Sequence, residues 1–347
     1  MATVTSAAPI ERVATKARRR ARKGVSDRWL SAGLLSPSLI AIFIFVYGFI
    51  AFTFWVSISE WKTNRRDLTV SDPWYQSYDT LINQSRFQTD LRNTFVFTVL
   101  FLILAVVSGL ALALLLDRRV MASGLFRSIF LFPYAISFIT TGVVWRWIFN
   151  PETGVNALFE QVGLNAALAQ AGVGPLKPGW ITDPSVVWQV NGALEAIFPW
   201  ADAISTKLGI PVAMIPIVIA ATWQLSGFAM AMFLAGLGTI SGEIKEAALV
   251  DGATDWRAYK DIIIPLLKPI MISTMIILGH VSLKIFDLIY AMSGKGPGFA
   301  TDVPGIFVYD MLFGAQRYNL GSAASIVMLV LVSAIIVPYL WRQLKEL

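Results

Sequence analysis

The chain has 347 residues, of which 56% are hydrophobic and only 14% charged, and its mean hydropathy is +0.64. A soluble domain carries nearer 25% charge, so a water-soluble globular fold is excluded and a polytopic membrane protein is expected. The absence of cysteine excludes disulfides and thiolate chemistry, and one histidine argues against any metal site. The net charge of +6 gathers in one arm, Lys16–Lys23, and is no nucleic-acid footprint.

Residues 1–28 read as a disordered basic tail. The first apolar run is too long for a cleavable signal peptide and lacks a small-x-small cleavage site. Six apolar runs are each long enough to cross a bilayer as a helix of about 20 residues. They lie near 34–58, 94–116, 128–149, 211–238, 268–292 and 320–341. The expected fold is therefore an all-α polytopic membrane protein of six transmembrane helices within a domain at 29–347, with a cytoplasmic helix–turn–helix between the fourth and fifth spans. With the N-terminus inside, 17 of the 28 Lys and Arg fall on the inner side and nine on the outer. Positive residues stay cytoplasmic, so both termini and the loop 241–265 are expected inside.

The outer segment 59–93 mixes Trp61, Trp74, Tyr75 and Tyr78 with charges, as an interfacial segment does. The longest outer segment, 150–209, is rich in Gly, Pro and Trp. Within it Val186–Ile197 reads as an amphipathic helix on the membrane surface. In the third span Arg146, between Trp145 and Trp147, is placed to snorkel to the outer interface. In the fourth, Thr222-Trp223-Gln224 interrupts an apolar run. Trp223 can stack on a solute and Gln224 offers both donor and acceptor, with Phe228 one turn on; the alternative is helix packing, aided by Ser226, Gly227 and Ala229.

Glu246–Pro265 is polar, holding three Asp, one Glu, one Arg and one Lys between two very apolar runs. Nothing that polar stays in lipid, so it reads as a docking surface. Ser241 caps a first helix with Glu243 in its first turn, and Gly252 ends it in a left-handed conformation. Thr254 caps a second helix, which Pro265 and Pro269 interrupt. Ile244, Ala247 and Ala248 share one face of the first helix, a shallow surface for another protein's groove. In the fifth span His280, Lys284 and Asp287 follow i, i+4, i+7 spacing and share a helical face. They read either as a polar stripe on a solute pathway, continuing to Tyr290, or as a self-neutralising Lys284–Asp287 pair with His280 bonded to nearby backbone. Gly294-Lys295-Gly296-Pro297-Gly298 is an outer turn, and no phosphate-binding loop occurs anywhere.

Glu246-Ala247-Ala248, three residues, Gly252, nine residues, then Ile262 and Ile264-Pro265 resembles the EAA loop of membrane subunits of binding-protein-dependent ATP-binding-cassette importers. Ile264 stands where Leu is usual. Trp145–Pro151, Phe233–Leu237 and Phe286–Tyr290 with 294–298 resemble the sugar branch of that family, that of the maltose-transporter membrane subunits. The resemblance spans roughly 30–345. It implies a non-catalytic permease subunit in a bacterial-type plasma membrane. It also implies a second homologous permease subunit, two ATPase subunits that bind ATP and Mg in this chain's stead, an extracytoplasmic solute-binding protein, membrane lipid around the spans, and a sugar or glycoside substrate. Glu246, Ala247, Ala248, Asp251, Gly252 and Pro265 would couple to the ATPase. Trp223, Gln224, Phe228, His280, Lys284, Asp287 and Tyr290 would line the pathway. The rival reading is an ion-coupled secondary transporter, against which stand six spans and no inverted repeat. An intramembrane enzyme would need paired catalytic groups that one histidine and one membrane-embedded aspartate do not supply.

Overall fold

The computed structural model describes residues 27–117, 121–198 and 205–345, so the basic arm at 16–23 lies outside the described residues. The chain divides into two units, Met1–Ala51 and Phe52–Leu347. In the first, helix α1 (Asp27–Ile42) widens into a π-helical turn at Phe43–Gly48. Helix continues to Ser57, so Ser31–Ser57 is long and apolar enough to span.

The second unit is built around a crossing of two long helices. Helix α2 (Gln76–Asn83) leads into α3 (Ser85–Asp117), whose first turns are polar and whose remainder is apolar. Helices α4 (Ser123–Leu131) and α5 (Phe138–Ile148) follow, and α6 (Met214–Leu237) packs along α3. Lipid tails are as apolar as leucine, so such helices gain by close approach rather than by leaving water. Gly109 on α3 permits this approach, since a Cβ there would lie 2.5 Å from the Ala229 Cβ and 3.0 Å from the Met230 N. Phe97 and Phe101 stack at 5.5 Å and are buried in the same core as Met230 and Phe233.

Four described helices are long and apolar enough to cross a membrane, and two bent pairs bring the number to six if each pair is one span. The third expected span is one such pair: Ser123–Ala135 and Phe138–Ile148 meet at 96°. Pro133 sits in a 3-10 turn, Ile136 is extended, and the Ser137 side chain accepts from Thr140 N to start α5. The fifth is bent at the loop. After α7 (Gly242–Val250) and α8 (Asp255–Ala258), a π turn and Ile264–Leu266 meet α9 (Lys268–Leu283) at 63°. Helix α9 stops at Leu283, and a separate short helix, α10 (Asp287–Met292), packs on α5. Gly142 lets them touch: a Cβ there would be 2.7 Å from the Ala291 Cβ. Helices α11 (Pro304–Tyr309) and α12 (Tyr318–Lys345) close the chain.

The surface helix expected at Val186–Ile197 is corrected. Val186–Val187 (β1) pairs antiparallel with Ile210–Pro211 (β2), and only Asn191–Ile197 is helical. The β-branched pair at its start favours an extended backbone over a helix.

Candidate functional site

Two regions carry functional geometry, the polar loop and the polar interruptions of the membrane helices. In the loop, Ser241 Oγ accepts from Glu243 N at 3.3 Å and Thr254 Oγ1 accepts from Arg257 N at 3.4 Å, each satisfying an amide the helix start leaves free. Gly252 has φ +84°, its N–H donates to Leu249 O at 3.1 Å, and Ala253 N donates to Ala248 O at 2.9 Å. This pair of bonds is a Schellman closure, which needs a left-handed residue at that position. Pro265 lacks an N–H, and the π turn Tyr259–Ile263 widens the helix before its ring arrives.

The loop is anchored as well as capped. Ala258, Tyr259, Ile263 and Leu267 are buried, and Tyr259 Oη donates to Asp117 Oδ2 at 2.9 Å, tying the second loop helix to the end of α3. Of the face expected to be free, Ala247 and Ile244 are exposed but Ala248 is 6% exposed, so Ala248 packs inward and is not part of an open surface. Glu246 and Asp251 are exposed. Val250 at 87% and Trp256 at 68% exposure add apolar area to the same loop. Neither stood out in the sequence, where Val250 falls one residue outside the apolar face and Trp256 sits among charges. Trp256 lies beside the apolar flank of α3 at Val107, Leu110 and Leu114.

In the fourth span the two expected neighbours separate. Trp223 is exposed on the helix surface, edge-on to Trp145 at 5.7 Å, and Trp145 stacks on Phe149 at 5.4 Å. Gln224 is 2% exposed and its Nε2 donates to Ile136 O at 2.7 Å. That carbonyl is left free where the 3-10 turn breaks into α5, so Gln224 closes a backbone bond that the bend opens. Among the described residues its Oε1 has no partner, nor do the buried Oγ1 atoms of Thr141 and Thr222 or Nδ1 of His280. Phe228 stacks on the exposed Tyr134 at 5.4 Å.

The fifth-span stripe is corrected. His280 lies on α9, but Lys284 is the residue that ends this helix (φ −109°, ψ 9°), and Asp287 opens the next one. The i, i+4, i+7 face therefore does not continue to Asp287. No ion pair joins Lys284 and Asp287 among the described residues, and both are exposed. Tyr290 instead belongs to a ring cluster, with Phe286 at 5.2 Å and Tyr309 at 5.3 Å, and Tyr309 meets Phe313 at 5.2 Å. Among the described residues, no hydrogen bond, ion pair or ring contact joins the Trp223–Phe228 group to the His280–Tyr290 group.

A charged network at the other end of α3 was not legible in sequence. Arg86 Nε donates to Asp302 Oδ2 at 2.7 Å and its Nη2 to Asp310 Oδ2 at 2.8 Å, while Lys295 pairs with Asp310 at 2.7 Å. Asn93 Nδ2 holds Phe299 O and Asp302 O, at 2.9 and 2.8 Å. The segment 293–317 is thus bolted to the start of α3. Burial pushes the Asp302 carboxyl above its ordinary range despite Arg86. Burial also acts on Asp310, but hydrogen bonds from Lys295 and Arg86 outweigh it and hold that carboxyl below the ordinary range.

The family described as binding-protein-dependent transport system inner membrane component matches residues 105–344. A probable ABC transporter permease of Pyrococcus horikoshii is 34% identical over 90% of this chain and 94% of its own length. The xylose/arabinose import permease XacH of Haloferax volcanii is 29% identical, covering 92% and 90%. The trehalose/maltose transport system permease MalF of Thermococcus litoralis is 29% identical, covering 88% and 91%. A chain of a bacterial ABC transporter involved in import of the acidic polysaccharide alginate superposes with a TM-score of 0.66 at 21% identity, over 91% of this chain and 96% of that one, and so shares its fold. With a capped polar loop between the continuous fourth span and the bent fifth, and relatives of this kind covered over nine-tenths of their length, the chain belongs to the family of inner-membrane permease components of binding-protein-dependent ABC transport systems.

Proposed function

We propose that this chain forms, with a second homologous permease subunit, the transmembrane pathway for a sugar or glycoside delivered by an extracytoplasmic binding protein. Both termini lie in the cytoplasm, on the side where Lys and Arg concentrate. The observation that carries the reading is the loop. Two capped helices are fixed to α3 through Tyr259 and Asp117, and present Glu246, Ala247, Leu249 and Val250 outward. A rigid, exposed, mixed polar and apolar surface suits docking of a soluble ATPase. Two ATPase subunits bind ATP and Mg and do the hydrolysis; this chain binds no cofactor and is not catalytic. Movement of the docked loop passes through Leu267 into α9, because Leu267 is fully buried at the 63° bend. Asp251, Gly252 and Pro265 act by shaping the loop, and Ala248 by seating it.

The sugar assignment rests on the names of relatives, XacH and MalF among them, and on aromatic rings at the pathway level. Trp223, Phe228 and Tyr290 offer ring faces, and His280, Lys284 and Asp287 offer polar groups along the way. Gln224 contributes its free Oε1. Uptake into right-side-out vesicles loaded with ATP, with the binding protein outside and a saccharide panel, tests the proposal. Uptake is expected to need both ATP and the binding protein, and Trp223→Ala is expected to weaken or re-rank the saccharides. Uptake driven by an ion gradient without ATP would establish the secondary-transporter reading instead.

A further inference from the structure

Residues of 188–194 and 206–210 and the start of α3 together line an open apolar groove of about 660 Å³, a volume ordinary for a small-molecule site. One wall is a single helical stripe, Gln88, Leu91, Arg92, Phe95 and Val96, at the spacing that puts residues on one face. The opposite wall holds Trp188, Val190, Leu194 and Ile210. Polarity changes along the stripe. Gln88 and Arg92 stand at one end, and Phe95 and Val96 already belong to the charge-free run that begins at Thr94. The groove thus runs from a polar mouth into the level of the hydrocarbon. Trp188 is 80% exposed, as indoles at a bilayer interface are.

The mouth carries positive charge. Arg92 is 8% exposed, and its guanidinium donates only to neutral oxygens among the described residues, Asn93 Oδ1 and Lys207 O. Lys207 itself is exposed beside it. We infer that this groove holds one hydrocarbon chain of an outer-leaflet phospholipid, with the phosphate at Arg92 and Lys207. A polypeptide seated there would bring backbone amides into a wall that offers almost no partners, whereas an alkyl chain brings none. None of the residues proposed for the solute pathway lines the groove, so the inference stands apart from the sugar reading and rests only on the orientation proposed above.

The test uses the full chain with its co-purifying partners in nanodiscs containing phosphatidylglycerol with a diazirine in the acyl chain, followed by photolysis and peptide mapping. Adducts are expected to concentrate on peptides covering 91–96 and 188–198, about tenfold over those on Tyr318–Trp341. Val96→Trp fills the groove and should bring both peptides down to that background. Trp188→Gln, at an exposed position that folding tolerates, should lower the 91–96 adducts in the same direction. Adducts spread evenly over all apolar helices and unmoved by either variant would overturn the inference. So would groove residues that cross-link to a second membrane subunit instead of lipid.

Discussion

Arg86→Met removes the centre of the network that holds segment 293–317 on α3. Its side chain is 12% exposed, and its partner Asp302 is fully buried. Without Arg86 the Asp302 carboxylate has no cation within bonding distance among the described residues, whereas Asp310 keeps Lys295 at 2.7 Å. Leaving a buried charge unpaired costs about 3–5 kcal/mol. Arg86 also sits 4.8 and 5.1 Å from the ring centres of Phe299 and Phe307, and losing these contacts adds roughly 0.5–1 kcal/mol each. Methionine retains most of the packing. Because burial already raises the Asp302 carboxyl, proton uptake relieves part of the penalty and places the cost toward the lower end. A loss of about 3 kcal/mol corresponds to a fall in Tm of roughly 4 °C for a chain of this size. Tryptophan fluorescence melting in detergent reads the shift, and hydrogen exchange should show 295–312 opening first. Arg86→Met/Asp302→Asn should recover most of the loss, since the charge is gone. A single variant that melts within about 1 °C of the parent, or a double variant worse than the single, would refute the assignment of Arg86 as the counter-charge.

Gly109→Val should cost about 1–3 kcal/mol by forcing α3 off α6, read as a lower Tm with the chain still inserted in the membrane. Gln224→Ala should cost about 1–3 kcal/mol because Ile136 O loses its donor, while Gln224→Glu at low pH, where the acid can donate, should recover part of this. Asp310 has a folded pKa below that of the free carboxyl, so its contribution is complete above the free value and fades as pH falls through the lowered one. The Tm difference between the parent and Asp310→Asn, present at pH 7, should therefore shrink as pH falls below the free-carboxyl value and close once pH passes the lowered one.

What could be read from sequence was what short-range chemistry fixes. Ser241, Gly252 and Thr254 mark the loop helices because a cap acts within three residues of itself, and the structure places each in that role. The 96° bend also had a local signal, Pro133 followed by the capping Ser137, which the apolar run 128–149 conceals. The break after Leu283 had none. No glycine or proline lies at 284–286, and α10 is held by its packing on α5, where Leu288 and Ile289 are fully buried. Periodicity alone therefore extended the His280 stripe across a chain break in helix. The Arg86–Asp302–Asp310 network joins residues more than 200 positions apart, and one sequence cannot reveal such pairing. Gln224 was visible as a polar interruption, but its partner is a backbone carbonyl exposed only by a bend elsewhere.

Docking of an ATPase on the Glu246–Pro265 loop is the centre of this account, and Ala247 is its most direct probe, being exposed and small. Ala247 replaced by a photo-reactive benzoylphenylalanine, irradiated in native membranes, should capture a soluble-type ATPase, and Glu246→Lys in the same chain should abolish the capture while a second membrane subunit still co-purifies. Capture of lipid alone, or of an ATPase with equal yield after Glu246→Lys, would contradict it.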